Sequence, residues 1–250
     1  MAGHSKWANI RHRKERQDKK KGKIWSKCSR AIMAAARAGG GDPATNLTLR
    51  YAIEEAKAQN MPKDTIQRAV DKGSGETGGE DFVEITYEGY GPGGVAIIID
   101  ALTDNRTRTV NDVRQAFSKN GGSVGNPGSV AYMFQTKGQI FVDADGVDED
   151  KIMDAALEAG ASDVQAPEGD DGGWTIETEP GDMLSVREAM AEAGFEITEA
   201  EVSKIPDNTN ASEKSDAIKL LKLIDALEDN DDVQKVYHNA EIPEEAYAEA

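Results

Sequence analysis

Apolar side chains recur at helical spacing over residues 23–73, which predicts a bundle of three helices. From Lys23 one helical face holds Ile24, Trp25, Cys28, Ile32, Ala35 and Ala36, and three glycines at 39–41 end the helix. A second helix is predicted from about Ala44, with Leu49, Ala52, Ile53 and Ala56 on one face. Pro62 opens the third as its first residue, with Ile66, Ala69 and Val70 inward and Gly73 beyond its end. A polar, Gly-rich linker at 74–81 follows the bundle.

The pattern then changes to the two-residue alternation of strands. Strands are predicted at Phe82–Tyr87, Val95–Ile99 and Ser129–Gln135. A helix carrying Val110, Val113, Ala116 and Phe117 lies between the second and third strands and ends at the glycines 121–122. Thr109 and Asp112 resemble a capping box at its start.

Residues 138–206 contain an order of strands and helices that could form a domain of its own. Strands are predicted at 139–142, 162–166, 174–177 and 195–202, with helices at 148–159 and 183–193. That order, β-α-β-β-α-β, is the ferredoxin-like split unit. A helix at 211–227 and a strand at 233–237 follow. A single helix and strand cannot bury their apolar faces alone, so we expect them to pack onto 82–135.

The sequence therefore predicts a multidomain α and α+β protein. The expected domains are a basic arm and helical bundle at 1–78, a split α+β domain at 79–136 plus 207–250, and an inserted ferredoxin-like domain at 137–206.

Charge divides the chain as sharply as hydropathy does. Residues 1–78 hold 17 Lys or Arg and 8 Asp or Glu, a balance of +9, whereas the whole chain carries −17. The remaining 172 residues therefore carry −26. Such a reversal indicates that the N-terminal segment faces a polyanion.

The basic residues of the first 27 positions are interleaved with tryptophan and histidine. Arg and Lys bind phosphate, and aromatic rings offer a surface on which a base stacks. The arm is therefore a candidate nucleic-acid site made of Lys6, Trp7, Arg11, His12, Arg13, Lys14, Arg16, Lys19, Lys20, Lys21, Lys23 and Lys27. The alternatives are a solvated basic tail or a targeting peptide, although a targeting peptide would be rich in serine.

Two further groups of cations are candidates for phosphate contact. The connection at 59–61 between the second and third helices resembles a helix-turn-helix, which would direct Lys63, Thr65, Gln67, Arg68 and Lys72 toward a groove. The alternative is an ordinary helical hairpin with a solvated face. Arg106 and Arg108 lie in the loop that feeds the following helix, where they contact phosphate or pair with the chain's many acids.

The sequence lacks the residue patterns of several common binding and catalytic sites. The glycines at 89–94 match G-x-G-x-x-G, but a β-branched strand follows them where a dinucleotide fold needs a helix, so a hairpin is favoured. The acidic run 143–150 lacks the EF-hand spacing, so helix capping by its acids is favoured. The three histidines are scattered, and the single cysteine, Cys28, falls on the buried stripe of the first helix. We therefore expect no enzyme activity, no cofactor and no metal site.

Long segments of the chain resemble the YebC family. They are MAGHSKWANIRHRK (1–14), NMPKDTIQRAVDKG (60–73), YEGYGPGGVAIII (87–99), LTDNRTRT (102–109), KNGGSVGNPGSVAYMF (119–134) and LIDALEDNDDVQKVYHN (223–239). Thr107 stands where the family pattern leads us to expect Asn. Members are labelled probable transcriptional regulators, and the mitochondrial relatives include a translational activator of cytochrome c oxidase. The resemblance agrees with the split-domain architecture.

The expected function is that of a non-enzymatic regulator of gene expression that binds nucleic acid. The resemblance implies duplex DNA as the target, or alternatively ribosomal RNA bound by the basic arm, with basic ribosomal proteins meeting the acidic lobes. An adaptor that binds only proteins would leave the arm unexplained. The absence of a long apolar run or secretory signal leads us to expect a cytoplasmic protein without a membrane partner. The absence of catalytic and phosphate-binding patterns leads us to expect no small-molecule substrate.

Overall fold

The computed structural model describes residues 21–75, 82–167 and 172–249. Its helices are α1 Lys21–Gly39, α2 Leu47–Ala58, α3 Lys63–Ser74, α4 Arg106–Lys119, α5 Glu149–Ala159, α6 Met183–Glu192, α7 Lys214–Glu228 and α8 Glu244–Tyr247. Its strands are β1 Val83–Tyr90, β2 Ala96–Thr103, β3 Ser123–Val124, β4 Phe134–Asp143, β5 Asp163–Gln165, β6 Gly173–Thr178, β7 Ile197–Pro206, β8 Asn210–Ala211, β9 Val233–His238 and β10 Ala240–Glu241. The short elements β3, β8, β10 and α8 were not predicted from the sequence.

The predicted three-helix bundle is observed, and α1 packs on both α2 and α3. The side chains expected inside it form one core, in which Ile32, Leu49 and Ala56 are fully buried. Cys28 belongs to this core, and burial raises the pKa of its thiol to about 12. A thiol with so high a pKa is almost entirely un-ionised near neutral pH, which fits a packing role.

The bundle's boundaries differ from the sequence prediction in three places. The second helix begins at Leu47, because the Asn46 side chain caps it by accepting a hydrogen bond from Leu49 N at 3.1 Å. Pro62 is the cap of α3 and not its first residue. Gly73 lies inside α3, where a Cβ would come within 2.5 Å of the Met33 carbonyl oxygen, so glycine there permits close packing on α1.

The first sheet has the strand order β3-β1-β2-β9, with antiparallel pairing throughout. Helices α4 and α7 pack on the face that carries Ile97 and Ile99, and their core includes Phe117, Leu220 and Leu223. The predicted hairpin is confirmed, since β1 pairs with β2 from Val83↔Thr103 to Tyr90↔Ala96 around the glycine-rich turn.

The second sheet has the strand order β5-β6-β4-β7 and is also antiparallel. With α5 and α6 its strands follow one another in the predicted order β-α-β-β-α-β, and its core includes Ile140, Ile152, Trp174 and Ile176. Asp148 caps α5 by accepting from Lys151 N at 3.1 Å, so the capping interpretation of the acidic run is confirmed.

One predicted strand was wrong. Residues 129–135 do not form a separate strand, because a 3₁₀ turn at Ala131–Met133 precedes Phe134. From Phe134 a single strand continues to Asp143 and pairs with β7 from Phe134↔Pro206 onward. Gly138 lies within it, against the side chains of Thr178 and Met183, which leave no space for a Cβ. The described residues therefore form a mixed α and β fold with two four-stranded antiparallel sheets and a short parallel pair of β8 with β10.

No helix within the described residues has the length and apolar character needed to cross a membrane.

Candidate nucleic-acid interface

Most of the predicted arm lies outside the described residues. Lys6, Trp7, Arg11, His12, Arg13, Lys14, Arg16, Lys19 and Lys20 precede them, and the side chain of Lys21 is not described either. Their role in binding nucleic acid stays a prediction. The described structure shows instead what surrounds the point where the arm joins the bundle.

The first turns of α1 dock on the C-terminal end of α7. Lys23 Nζ donates to the Asp229 carbonyl oxygen at 3.2 Å, and Lys27 Nζ donates to the Glu228 carbonyl oxygen at 2.6 Å. Such carbonyls at a helix end attract cations, because they carry the negative end of the helix dipole. Two side chains that the sequence assigned to nucleic acid therefore hold the bundle on the rest of the protein.

Lys27 is the more enclosed of the two. Burial lowers the pKa of its ammonium group, against the opposing attraction of Glu228, Asp231 and Asp229. A cation that has already lost part of its hydration to these partners would need to leave them before it could meet a phosphate.

A buried carboxylate completes this contact. Asp232, whose side chain is 3% exposed, accepts from Arg30 Nη1 at 2.8 Å and from Arg108 Nη2 at 2.7 Å. It also accepts from Thr109 Oγ1 at 2.8 Å. Burial by itself would raise the pKa of Asp232, but the hydrogen bonds from Arg108 and Thr109 and the charge of Arg108 outweigh it, so the pKa lies below its usual value.

The placement of Arg106 and Arg108 corrects the sequence prediction. Both lie in the first turn of α4 and not in a loop before it, because Asn105 caps this helix by accepting from Arg108 N at 3.0 Å. Thr109 does not serve as the cap, since its hydroxyl is turned inward to Asp232 and Thr103. Arg108 pairs with Asp104 and Asp232, which is the alternative that the acid-rich composition had suggested.

Helix α3 presents a face of mixed charge to solvent. Lys63, Gln67, Arg68 and Lys72 are exposed, and so are Asp64 and Asp71 between them. Gln67 donates to Asp71, and Arg68 bonds within its own helix to the Asp64 carbonyl oxygen and Thr65 Oγ1. Two carboxylates on this face would approach the phosphates of a duplex, which weakens the helix-turn-helix interpretation.

A second buried carboxylate was not predicted from the sequence. Glu88 on β1 accepts three backbone hydrogen bonds, from Gly128 N at 2.6 Å, Val130 N at 2.7 Å and Ala131 N at 2.8 Å. Burial would raise the pKa of Glu88, but these three bonds outweigh it and lower the pKa. The only sequence signal was an acid in an otherwise half-apolar strand. The bonds explain why residues 128–131 form a turn.

Within the described ranges, no group of three or more His, Cys, Asp or Glu side chains is arranged to hold a metal ion.

Comparison with known proteins identifies the family. The protein-family model described as the TACO1/YebC protein N-terminal domain matches residues 5–76. The family model described as the TACO1/YebC second and third domain matches residues 82–240. The chain therefore belongs to the TACO1/YebC family, as its sequence motifs suggested.

Individual relatives match over their full length. The transcriptional regulatory protein PmpR of Pseudomonas aeruginosa is 57% identical over 249 residues, covering 100% of this chain and 99% of that protein. A probable transcriptional regulatory protein of an Acidovorax species is 56% identical over 242 residues, covering 97% and 100% of the two chains. These names are those of regulators and not of enzymes.

A solved structure supports the fold. The crystal structure of a conserved hypothetical protein from Aquifex aeolicus is similar with a TM-score of 0.77 and 45% sequence identity. The similarity covers 89% of this chain and 91% of that one.

Proposed function

We propose that the protein is a non-enzymatic regulator of gene expression that binds nucleic acid through its basic arm, residues 6–21. The observation that carries the proposal is the division of charge. The first 78 residues hold +9 in a chain of −17, whereas Lys23, Lys27 and Arg30 at the start of α1 are already bonded to the acidic segment 228–232. We therefore expect phosphate contact chiefly from the cations that precede Lys23.

Duplex DNA is the first candidate target, because relatives carry the name of transcriptional regulators. Lys63, Arg68 and Arg106 are exposed and would supply secondary contacts. Lys23, Lys27 and Arg108 would contribute only after leaving their present partners.

Ribosomal RNA is the second candidate, and the docking of α1 favours it. Contacts from α1 to Glu228, Asp229 and Asp232 hold the basic bundle close to a body of −26. Such a body is repelled by free duplex, but it is tolerated in a crevice lined by basic ribosomal proteins.

The test measures how nucleic-acid affinity depends on salt. Replacing Arg11, Arg13, Lys14, Lys19, Lys20 and Lys21 by Gln should weaken binding and flatten the log–log salt slope by roughly 0.7–0.9 for each phosphate that is no longer neutralised. Trp7→Ala should reduce affinity with little change in slope, because stacking releases few counterions. Lys222→Gln removes a positive charge at an exposed position of α7, outside the arm, and serves as the control. It should leave both the affinity and the slope nearly unchanged. An unchanged slope after the arm substitutions would refute the proposal.

The two targets separate in one comparison at about 150 mM salt, where non-specific duplex binding is weak, with Kd ~10⁻⁴–10⁻⁶ M. Tight, sequence-selective duplex binding that depends on Lys63, Gln67 and Arg68 would favour transcription. Cosedimentation with ribosomes that is abolished by deleting residues 1–22 would favour translation.

A further inference from the structure

The strand β1 has an open edge. Along its whole length it pairs with β2, but on its other side only Gly89 and Tyr90 pair with β3. On that second side Gly125 N donates to the Glu88 carbonyl oxygen at 2.8 Å. Since backbone groups alternate between the two edges of a strand, the N–H and C=O groups of Glu84 and Thr86 point the same way. They have no strand partner within the described residues.

A depression lies beside this edge. It has a volume of about 540 Å³ and is lined by residues 84–87 of β1 and by Arg106, Thr107 and Val110 of α4. Ile85, Tyr87 and Val110 give it an apolar floor. The depression therefore combines an unpaired strand edge with a hydrophobic surface, which is the arrangement that domains use to bind a peptide as an added strand.

Two arginines extend this depression along α4. Arg106, Val110 and Arg114 follow one another at intervals of four residues, so they share one face of the helix. Arg106 and Arg114 both lower the pKa of Tyr87, although burial and Asp232 raise it overall, which places both positive charges near that ring. Both arginines are exposed, and neither has an ion-pair partner in the part of the chain that the structure describes.

We propose that the open edge of β1 binds an extended, acidic segment of a partner protein as an additional strand. Arg106 and Arg114 are eight residues apart, or about 12 Å along a helix, and strand positions i and i+4 are about 13 Å apart. A segment with acidic side chains at i and i+4 and an apolar side chain at i+2 therefore matches Arg106, Arg114 and Val110 together.

The chemistry of the edge favours a peptide over nucleic acid. A peptide strand offers acceptors to the N–H groups of Glu84 and Thr86 and donors to their carbonyls. A phosphate backbone would leave those carbonyls unpaired and would meet the exposed carboxylate of Glu84. A second copy of the same edge is disfavoured because Arg106 and Arg114 would face their own equivalents, and charged edges of this kind resist self-pairing.

The test uses a fluorescein-labelled peptide of sequence Thr-Glu-Thr-Val-Thr-Glu-Thr and the full-length protein, with binding measured by fluorescence anisotropy. The peptide should bind, and the same peptide N-methylated on the backbone of its central Val and adjacent Thr residues should bind at least about 10-fold more weakly, because methylation removes ladder hydrogen bonds but no charge. The double variant Arg106→Gln/Arg114→Gln should bind the peptide about 10-fold or more weakly. Lys119→Gln/Lys222→Gln makes the same charge change on exposed positions of the same lobe and should bind normally.

The measurement can overturn the proposal in three ways. Equal binding of the methylated and unmethylated peptides would mean that charge alone attracts the segment. Undetectable binding at millimolar concentration would exclude the site. A single-stranded oligonucleotide whose affinity falls in the double variant, while the peptide's does not, would assign Arg106 and Arg114 to nucleic acid. None of these results involves the arm cations that carry the proposed function, so the two proposals stand or fall separately. Arg106 is the one residue they share, and the oligonucleotide result would keep it as a secondary nucleic-acid contact.

Discussion

Arg30 and Asp232 lie 202 positions apart in the chain, yet the Arg30 Nη1 and the Asp232 Oδ1 are 2.8 Å apart. This contact joins α1 of the bundle to the turn before β9 of the first sheet. Arg108 from α4 shares the same carboxylate, so three separate parts of the fold meet at one buried charge. The orientation of the bundle therefore depends on a polar cluster as well as on apolar packing.

Replacing Asp232 by Asn should destabilise the protein by about 1–3 kcal/mol, because two guanidinium groups lose their common counter-charge in a mostly buried site. Urea unfolding measures the change in free energy. Asp229→Asn is the control, since Asp229 interacts with Lys23 at an exposed surface and a pair of that kind is worth about 0–1 kcal/mol. Equal costs for the two variants would contradict the central role given to Asp232.

The pH dependence of stability provides an independent check on Asp232. Its pKa is lowered in the folded protein, so its contribution is fully present above the unfolded value of about 3.9 and is lost as pH falls through the lower folded value. The Asn variant lacks this carboxylate. The difference in stability between wild type and Asp232→Asn should therefore shrink below about pH 4, and a difference that stays constant with pH would argue against a charged Asp232.

Glu88→Gln should loosen the turn at 128–131. The amide can present one oxygen, but its NH₂ group opposes backbone N–H donors that the carboxylate now satisfies. We expect a loss of about 1–3 kcal/mol in the free energy of unfolding and faster amide hydrogen exchange at Gly128, Val130 and Ala131. Glu84→Gln on the exposed side of the same strand is the matched control. Unchanged exchange at those three amides would show that the carboxylate does not hold the turn.

The helical and strand periodicities in the sequence predicted the corresponding elements well. The bundle, the hairpin around the glycines and the order β-α-β-β-α-β all follow from local patterns that extend over several turns or strands. The boundaries failed where a side chain competes for backbone groups. The side chains of Asn46 and Asn105 cap two helices, which therefore begin at residues other than the predicted ones. The carboxylate of Glu88 holds a turn where a strand was predicted.

The candidate site was harder to predict for a related reason. Lys27, Arg30 and Asp232 are ordinary charged residues in sequence, and only the tertiary fold brings them together. A high density of lysine and arginine indicates a polyanion but does not distinguish phosphate from the protein's own acidic helix end. The open edge of β1 is likewise a property of sheet order, which local periodicity does not contain.

Gly73→Ala should weaken the contact between α1 and α3, although alanine normally favours a helix. A Cβ at this position would lie 2.5 Å from the Met33 carbonyl oxygen, so the helices must separate, at a cost of about 1–3 kcal/mol. Gly22→Ala is the matched control, because its Cβ meets no neighbouring atom within 4 Å and should stabilise α1 by about 0.5–1 kcal/mol. Thermal unfolding of the two variants should shift in opposite directions, and a stabilising Gly73→Ala would contradict the close packing.

We propose from the strand orders that residues 79–136 and 207–250 form one domain, into which the second sheet is inserted. Phe134 and Pro206 are paired neighbours on β4 and β7, and Asp207 N donates to the Met133 carbonyl oxygen at 2.8 Å. The two ends of the segment between them are therefore about 5 Å apart, close enough for a short linker to replace residues 136–206.

The core of the first sheet supports this excision because it draws its buried side chains from 95–117 and 217–246, and none of the described residues of the removed segment belongs to it. Residues 80–135 joined to 207–250 should therefore fold and unfold cooperatively in urea. Residues 80–135 alone should not, because α7 supplies Leu220, Leu221, Leu223, Ile224 and Leu227 to that core. A joined chain without a cooperative transition would show that the second sheet is needed for the first to fold, and the split-domain division would then be wrong.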